Sequence, residues 1–327
     1  MNWESKQVLV TGAGGFIGSH LAETLVRRGA NVCAMVRYGS SNHHGWLQDS
    51  PFAGDLEVIA GDIRDAGNVR RAMDGCDVVL HLAALIAIPY SYVAPDSYVR
   101  TNIDGTLNVL EAARTLGTPR VVHTSTSEVY GTAMRVPIDE EHPLQGQSPY
   151  SATKIAADKL AESYYRSFDL PVVTIRPFNT FGPRQSTRAV LPTIITQALT
   201  GDTIKLGATT PTRDLTFVAD TVEGFLCGAS ESGIEGETIN LGTGSEISIG
   251  DLAAMVCRLC GADCEVICDD ERLRPPKSEV NRLLSDNGRA KRLMNWQPER
   301  TLEQGVLETI EWMKGNLSHF RAGQYTV

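Results

Sequence analysis

The stretch Val8-Leu9-Val10-Thr11-Gly12-Ala13-Gly14-Gly15-Phe16-Ile17-Gly18 decides the fold of this chain. Its apolar beginning is typical of a buried strand, and residues 17–28 have the pattern of a helix. Glycine permits the tight turn between the two and lets the backbone approach a pyrophosphate, which then lies at the helix N-terminus. The stretch therefore predicts a dinucleotide site, and we assign to it Gly12, Gly15, Phe16, Ile17 and Gly18.

The alternation of strand and helix continues to about residue 177. Strand-length apolar runs fall at residues 8–10, 32–36, 56–59, 78–82, 121–123 and 172–175, with helical stretches at 17–28, 69–73, 97–116 and 150–168. Strands that are apolar on both faces and alternate with helices are typical of a parallel sheet covered by helices. We predict an α/β fold with a Rossmann-type doubly wound parallel sheet in residues 1–177 and a smaller α/β substrate domain in residues 178–327. Segments between residues 214 and 241 are expected to pack back against the sheet.

Composition excludes several classes of partner. The 327 residues are 42% hydrophobic and 21% charged, which is ordinary for a globular protein with ample core. The net charge of −9 disfavours nucleic acid, because binding to a duplex requires excess lysine and arginine. The N-terminus lacks the pattern of a signal peptide and no apolar run could span a bilayer, so we expect a cytoplasmic protein without a membrane partner.

Four of the 7 cysteines, Cys257, Cys260, Cys264 and Cys268, lie close together in the sequence. Their spacing superficially suggests zinc. However, residues 249–259 have the pattern of an amphipathic helix that Cys257 and Cys260 would continue, and residues 264–268 resemble a short strand. Cysteine serves as a small hydrophobe in such places, so we expect no metal site.

The end of the second strand, Val36-Arg37-Tyr38-Gly39-Ser40-Ser41, bears on the choice of cofactor. An NAD site usually has an acidic residue there, whereas arginine accommodates a 2′-phosphate. Arg37 with Ser40 and Ser41 favours NADP over NAD, although Arg37 stacked on adenine would suit either cofactor. Further cofactor contacts are predicted after the third and fourth strands, at Asp62, Ile63, Leu82, Ala83 and Ala84.

Two later segments carry reactive groups. Tyr150 and Lys154 in Tyr150-Ser151-Ala152-Thr153-Lys154 share one face of a helix, where an ammonium is expected to lower the pKa of the phenol. Such a tyrosine suits removal of a hydroxyl proton while hydride leaves the same carbon. The segment Thr124-Ser125-Thr126-Ser127-Glu128 adds a carboxylate.

Taken together these motifs resemble the extended short-chain dehydrogenase/reductases that act on nucleotide sugars. The resemblance covers nearly the whole chain and includes residues 61–65, 81–84, 101–106 and Arg176-Pro177-Phe178-Asn179-Thr180-Phe181-Gly182-Pro183. It implies that Asn102, Tyr150, Lys154 and Pro177 also contact the cofactor. It further implies a homodimer formed through the helices at residues 97–116 and 150–168.

Glu128 favours one subfamily. The resemblance to 4,6-dehydratases implies that Thr126 hydrogen-bonds the C4 oxygen of the sugar. It also implies that Glu128 removes the C5 proton, which becomes acidic once C4 is a ketone. Ser127 stands where many dehydratases carry aspartate, which leaves open the group that protonates the departing hydroxyl. Residues 274–280 and 294–298 resemble GDP-mannose 4,6-dehydratases and the UDP- or GDP-N-acetylglucosamine 4,6-dehydratases of nonulosonic-acid pathways. A solvated turn residue is the alternative interpretation of Glu128.

Substrate contacts are less evident. An acidic protein that binds a diphosphate must gather arginine locally. The candidates are Arg184, Arg188, Arg213, Arg274 and Arg282, and the resemblance favours Arg213 and Arg274 most. The set finally assigned to the substrate is Asn179, Arg184, Arg188, Leu191, Arg213, Arg274 and Glu279.

Three alternatives to a dehydratase stay open. A UDP-glucuronate decarboxylase also carries Thr-Ser-Glu, but residues 90–93 offer no arginine for the substrate carboxylate. A 4-epimerase needs no residue such as Glu128. A cofactor-sensing protein without catalysis usually lacks the tyrosine or lysine, and this chain keeps both.

Overall fold

The computed structural model describes residues 2–40 and 43–320. Its strands are β1 Gln7–Thr11, β2 Asn31–Arg37, β3 Leu56–Gly61, β4 Val78–His81, β5 Arg120–Thr124, β6 Val172–Pro177, β7 Asn179–Phe181, β8 Thr203–Leu206, β9 Thr212–Arg213, β10 Leu215–Phe217, β11 Thr238–Leu241, β12 Ile247–Ser248, β13 Glu265–Cys268 and β14 Arg282–Leu283. Its α-helices are α1 Phe16–Arg27, α2 Ala66–Met73, α3 Ile88–Val93, α4 Pro95–Tyr98, α5 Gly105–Leu116, α6 Pro149–Phe168, α7 Val190–Thr200, α8 Val218–Ser230, α9 Ile249–Cys260, α10 Gly288–Met294 and α11 Leu302–Lys314.

A seven-stranded sheet in the order β11-β6-β5-β4-β1-β2-β3 forms the centre, and every neighbouring pair of strands is parallel. The predicted α/β fold and doubly wound sheet are confirmed. The chain leaves β1 toward β2 on one side and continues through β4 on the other, so the strand order reverses between β1 and β4. Ligands of such sheets bind in the crevice at this reversal, outside the carboxyl ends of the strands.

The helix α6 is the longest helix described, and its beginning is fixed by a capping box. The hydroxyl of Ser148 accepts from the backbone N–H of Ser151 at 3.1 Å, and the hydroxyl of Ser151 accepts from the N–H of Ser148 at 2.9 Å. A cap of this kind typically stabilises a helix by about 1 kcal/mol. It places Tyr150 within the first turn of α6, facing the end of β5.

The predicted helix at residues 97–116 is interrupted. Residues 95–116 are helical throughout, but Val99–Asp104 forms a π-helical turn between α4 and α5. Such wide turns occur frequently at functional sites. This one contains the buried Asn102.

Residues after β6 form smaller sheets beside the main one. The strands β7 and β10 pair with each other, β9 pairs with β12 and β14, and β8 pairs with β13. Meanwhile β11 returns to the main sheet as the neighbour of β6. The smaller α/β part is therefore confirmed, while a domain boundary at residue 177 stays a prediction.

The cysteine-rich segment folds as the pattern indicates. Cys257 and Cys260 lie on α9, and β13 ends at Cys268. Within residues 2–40 and 43–320, no group of three or more His, Cys, Asp or Glu side chains is placed to hold a metal ion. No helix in the same ranges is long and apolar enough to cross a membrane.

Candidate active site

The glycine turn after β1 lies at the reversal of strand order. Gly12 adopts φ +71°, and a Cβ there would lie 3.0 Å from the backbone of Ala83. A Cβ on Gly18 would lie 2.3 Å from the carbonyl oxygen of Gly12, so neither position admits a side chain. Helix α1 begins at Phe16, and no described side chain caps its N-terminus at Gly15. Open backbone N–H groups beside a bare glycine surface fit the pyrophosphate of a dinucleotide.

A threonine holds the turn after β4 against the glycine turn. The hydroxyl of Thr11 accepts from the backbone N–H groups of Leu82 and Ala83, both at 3.1 Å, and lies 2.9 Å from Nδ1 of His81. The small side chains of Ala83 and Ala84 leave room in front of the sheet. The structure thus brings residues 82–84 to the predicted cofactor crevice.

The predicted adenosine contacts lie at the ends of β2 and β3. The carboxylate of Asp62 is held by Arg64 at 2.5 to 3.0 Å, and this hydrogen bonding lowers the pKa of Asp62. Arg37 and Ser40 are exposed, Ile63 is buried, and Arg37 lies within electrostatic reach of Asp62. Ser41 lies outside the described residues. An acidic residue is therefore present beside Arg37, but it comes from β3 rather than β2.

Asn102 links three parts of the site. Its side chain accepts from the N–H of Leu85 at 2.9 Å, and its Nδ2 donates to the carbonyl of Leu85 at 3.0 Å and the hydroxyl of Thr153 at 3.1 Å. The π-helical turn is thereby joined to the turn after β4 and to α6, next to Lys154.

Tyr150 and Lys154 lie on one face of α6 and are both buried. The Tyr150 hydroxyl is hydrogen-bonded to Thr126, and Glu128 lies close enough to act on it electrostatically. Burial raises the pKa of Tyr150, and the negative charge of Glu128 raises it further. Burial lowers the pKa of Lys154 to about 8.

These values correct one expectation. We predicted that the Lys154 ammonium lowers the pKa of Tyr150, but Nζ of Lys154 donates to the carbonyl oxygen of Thr124 at 2.5 Å. Burial is therefore the largest influence on the Tyr150 hydroxyl in this structure, and it raises the pKa of Tyr150 instead of lowering it.

The catalytic carboxylate predicted from the sequence lies on a short 3₁₀ helix, Ser127–Tyr130, directly after β5. The hydroxyl of Thr126 accepts from the N–H of Glu128 at 3.2 Å and fixes the start of this turn. Ser127 is buried, whereas Glu128 is half-buried and lies within electrostatic reach of both Tyr150 and Arg213. The structure therefore brings Thr126, Glu128 and Tyr150 together.

Sequence reasoning missed a buried polar network beneath these residues. Asp158, one helical turn after Lys154 on α6, accepts from Nε2 of His123 at 3.0 Å, from the Ser125 hydroxyl at 2.6 Å and from Arg176 at 2.9 and 3.1 Å. The charge of Arg176 and the hydrogen bonds to His123 and Ser125 hold the pKa of Asp158 well below its usual range. The only signal in the sequence was an acid four residues after Lys154 on the same helical face.

Four of the predicted substrate residues form a second group. The Arg213 side chain is 7% exposed and lies 3.4 Å from Oε1 of Glu279, while Arg274 lies 3.7 Å from the same oxygen. The backbone N–H of Asn179 donates to Asp214, the residue after Arg213, and the buried Oδ1 of Asn179 has no partner among the described residues. Two guanidinium groups share the carboxylate of Glu279 here, and Glu128 also lies within electrostatic reach of Arg213.

The remaining three predicted substrate residues lie elsewhere. Arg184 binds Glu23 at 3.0 and 3.2 Å and Ser19 at 3.1 Å, both on α1, so its guanidinium is engaged there. Leu191 is 1% exposed within the hydrophobic core. The substrate contacts assigned to these two residues stay predictions. Arg188 is exposed and lies within electrostatic reach of Tyr98, at the edge of the crevice.

Known proteins are similar to this chain over most of its length. Residues 9–309 match the family described as GDP-mannose 4,6 dehydratase. The chain is 34% identical to a UDP-glucose 4-epimerase of Mycolicibacterium smegmatis, over 94% of this chain and 98% of that protein. It is 33% identical to a UDP-N-acetyl-alpha-D-glucosaminuronate decarboxylase of Bacillus cytotoxicus, again over 94% and 98%.

A solved relative contains the cofactor. The dTDP-glucose 4,6-dehydratase DesIV of Streptomyces venezuelae, determined with NAD bound, superposes with a TM-score of 0.84 at 29% identity, covering 96% of this chain and 99% of that one. The glycine turn, the Tyr150–Lys154 pair and the extent of these matches lead to one conclusion. The chain belongs to the extended short-chain dehydrogenase/reductases that modify nucleotide sugars with a nicotinamide cofactor.

Proposed function

We propose that the protein is a nucleotide-sugar 4,6-dehydratase acting on UDP-N-acetylglucosamine or its GDP-linked counterpart. The observation that carries this proposal is the half-buried carboxylate of Glu128, held beside Thr126 and Tyr150 by the 3₁₀ turn after β5. A 4-epimerase inverts the configuration at C4 alone and needs no such base. Elimination across C5 and C6 requires one.

Each side chain has a defined task in this scheme. The phenolate form of Tyr150 takes the proton of the C4 hydroxyl, and Thr126 hydrogen-bonds the same oxygen. The bound nicotinamide cofactor supplies a temporary hydride acceptor. Glu128 then removes the C5 proton, because the C4 ketone has made it acidic, and the C6 hydroxyl takes up a proton and departs as water. With the cofactor bound, the hydride would return to C6 and a proton would return to C5, so the sugar would lose one water with no net oxidation.

The arginine group supports an activated sugar as substrate. Arg213 and Arg274 share the carboxylate of Glu279, and Arg213 also lies near Glu128. A diphosphate bound to these guanidinium groups would lie near Glu128, because Glu128 is within electrostatic reach of Arg213. Charge-assisted bonds to phosphate are about twice as strong as neutral ones, which suits a chain whose net charge is −9.

Decarboxylation of a UDP-glucuronate is the second candidate. The same Glu128 and the decarboxylase relative at 33% identity favour it, and Arg213 near Glu128 is a cation that a sugar carboxylate could contact. Epimerisation at C4 has a relative at 34% identity in its favour, but it assigns no work to Glu128.

Mass spectrometry separates these reactions. Purified protein is incubated without reductant with UDP-N-acetylglucosamine, GDP-N-acetylglucosamine, GDP-mannose and UDP-glucuronate. We expect one of the neutral sugars to lose one water and, in deuterated buffer, to gain deuterium at C5. Loss of carbon dioxide from the glucuronate would establish the decarboxylase, and a C4 epimer seen by proton NMR without mass change would establish the epimerase.

We further propose a preference for NADP, supported by the exposed Arg37 at the end of β2. The solved relative with NAD shows that the family accepts the cofactor without the 2′-phosphate. Arg37→Ala should weaken NADPH binding about tenfold and NADH binding hardly at all, since one charge-assisted bond contributes about 1.5–3 kcal/mol. Titration of both reduced cofactors by fluorescence measures this, and an equal effect on the two would remove the preference.

We also propose a homodimer formed through α5 and α6. These helices and the turn before them expose apolar side chains, namely Val99, Leu107, Tyr165 and Phe168, which are 37 to 52% exposed in the single chain. Light scattering after gel filtration tests the stoichiometry, and Leu107→Glu should convert a dimer to a monomer.

A further inference from the structure

The turn that follows the predicted adenosine site is held in place from two sides. We define the cofactor-side turn as residues 44–47, of which Gly45–Leu47 forms a 3₁₀ turn. On one side it touches the glycine turn: the N–H of Trp46 donates to the carbonyl of Gly14 at 3.0 Å. The contact is close, because a Cβ on Gly14 would lie 2.6 Å from the carbonyl oxygen of His44.

The other side of the turn meets the last helix of the described chain. The ring of Trp46 lies 5.4 Å from that of Trp312 on α11 and 5.2 Å from that of His319, and Trp312 lies 6.0 Å from Phe320. We define these four residues as the aromatic cluster. Its three larger rings are half-buried, and edge-on pairs at such distances attract beyond the area they bury.

The backbone after the turn is anchored separately. Leu47 is 2% exposed in the main hydrophobic core, and the hydroxyl of Ser50 donates to the buried carboxylate of Glu23 on α1 at 2.7 Å. The turn therefore has a fixed end at residues 47–50, and the aromatic cluster determines how closely its tip presses on the glycine turn.

We propose that Trp46 and Trp312 are positioning residues for the cofactor: the aromatic cluster holds the cofactor-side turn against Gly14 and so slows release of the bound nicotinamide dinucleotide. The glycine turn is the surface on which the pyrophosphate is expected to lie, and the backbone of residues 44–46 lies directly beside it. Movement of the turn away from Gly14 would open this side of the crevice. The proposal depends on the family's nicotinamide cofactor and not on dehydration of the sugar.

Slow release serves a reaction that leaves the cofactor unchanged. In an enzyme that takes and returns hydride within one turnover, the cofactor need not leave between cycles. A reduced cofactor that escaped in mid-cycle would strand the keto sugar. Retention by a fixed turn therefore favours complete turnovers.

The test measures cofactor release without any sugar. NADPH is bound to the intact protein and its own fluorescence is recorded with direct excitation of the reduced nicotinamide. Excess NADP⁺ is then added to occupy each site that NADPH leaves. Trp312→Ala should raise the release rate about tenfold. One aromatic pair stabilises the closed position of the turn by an amount that corresponds to roughly a factor of ten in a rate. Trp312→Phe should restore most of the slow release.

Two further variants keep the test decisive. Trp46→Leu removes the partner ring from the turn without altering α11, and it should speed release to a similar extent even if Trp312→Ala does not fold. Leu307→Ala, an exposed position on the same helix, should leave the rate unchanged. Unchanged release in folded Trp46→Leu and Trp312→Ala proteins, or equal acceleration by Leu307→Ala, would overturn the proposal whether or not the enzyme is a dehydratase.

Discussion

The floor and the rim of the site are built differently. The floor consists of Tyr150 and Lys154 above the buried Asp158 network, in which one carboxylate accepts from a histidine, a serine and an arginine. The rim consists of Arg213 and Arg274 around Glu279, at longer distances of 3.4 and 3.7 Å. Dense buried polar networks fix geometry, whereas a carboxylate shared at longer distances can yield its arginines to a ligand. Under the proposed function, proton transfer would take place at the densely bonded floor and the substrate would be bound at the more loosely paired rim.

The largest effect is expected at the centre of the floor. Tyr150→Phe removes the proton acceptor but keeps the buried ring, so turnover should fall by about 10³–10⁴-fold. Cofactor affinity should hold within a few-fold, measured by fluorescence titration. Substantial residual turnover with normal cofactor binding would show that another group takes the C4 proton.

The second-largest effect is expected at Glu128, whose carboxylate lies between the floor and the rim. Glu128→Gln keeps size and hydrogen bonding but removes the base, so formation of dehydrated sugar should fall by about 10²–10³-fold. Oxidation at C4 precedes that step and should persist, visible as a burst of reduced cofactor absorbance on mixing with substrate. A variant that dehydrates normally would falsify the role of Glu128.

The third change breaks the support under the floor. Asp158→Asn leaves the buried Arg176 without its counter-ion, and breaking a buried pair of this kind costs about 3–5 kcal/mol of unfolding free energy. Ser125→Ala removes only a neutral donor to the same carboxylate and should cost about 1 kcal/mol. Urea denaturation of both variants compares the two costs.

The same variant should also alter the pH profile. Asp158 raises the pKa of Lys154, which burial has lowered to about 8. The ammonium is present below that pKa and lost above it, so activity that requires the ammonium should decline above about pH 8. Removing the negative charge lowers the pKa of Lys154 further and moves the decline to lower pH. The variant retains His81, His123 and Arg176, which lie on the neighbouring strands β4, β5 and β6. An unmoved descending limb would make Asp158 purely structural.

The sequence predicted the parts of this site that depend on spacing. The glycine turn and the Tyr150–Lys154 face follow from local periodicity, and the alternating apolar runs are enough to predict the sheet. The sequence did not predict the contacts between segments that are distant along the chain. The partners of Asp158 come from β5 and β6 and from the residue after β5, and no local pattern showed that Arg184 pairs with Glu23 on α1. Burial, which has no local signature, also reversed the predicted shift in the pKa of Tyr150.

The smallest effect is expected at the rim. The Arg274 side chain is 28% exposed and contributes one of the two guanidinium groups beside Glu279, so Arg274→Met should raise KM about tenfold, the worth of one charge-assisted bond. The kcat should change less than twofold, because Arg274 touches neither Tyr150 nor Glu128 in this arrangement. Arg282→Met is the matched control: that arginine is 47% exposed, pairs with Glu246 and should leave both constants unchanged. A fall in kcat at constant KM in Arg274→Met would mean that the rim takes part in the chemistry, and the separation between an adaptable rim and a rigid floor would then fail.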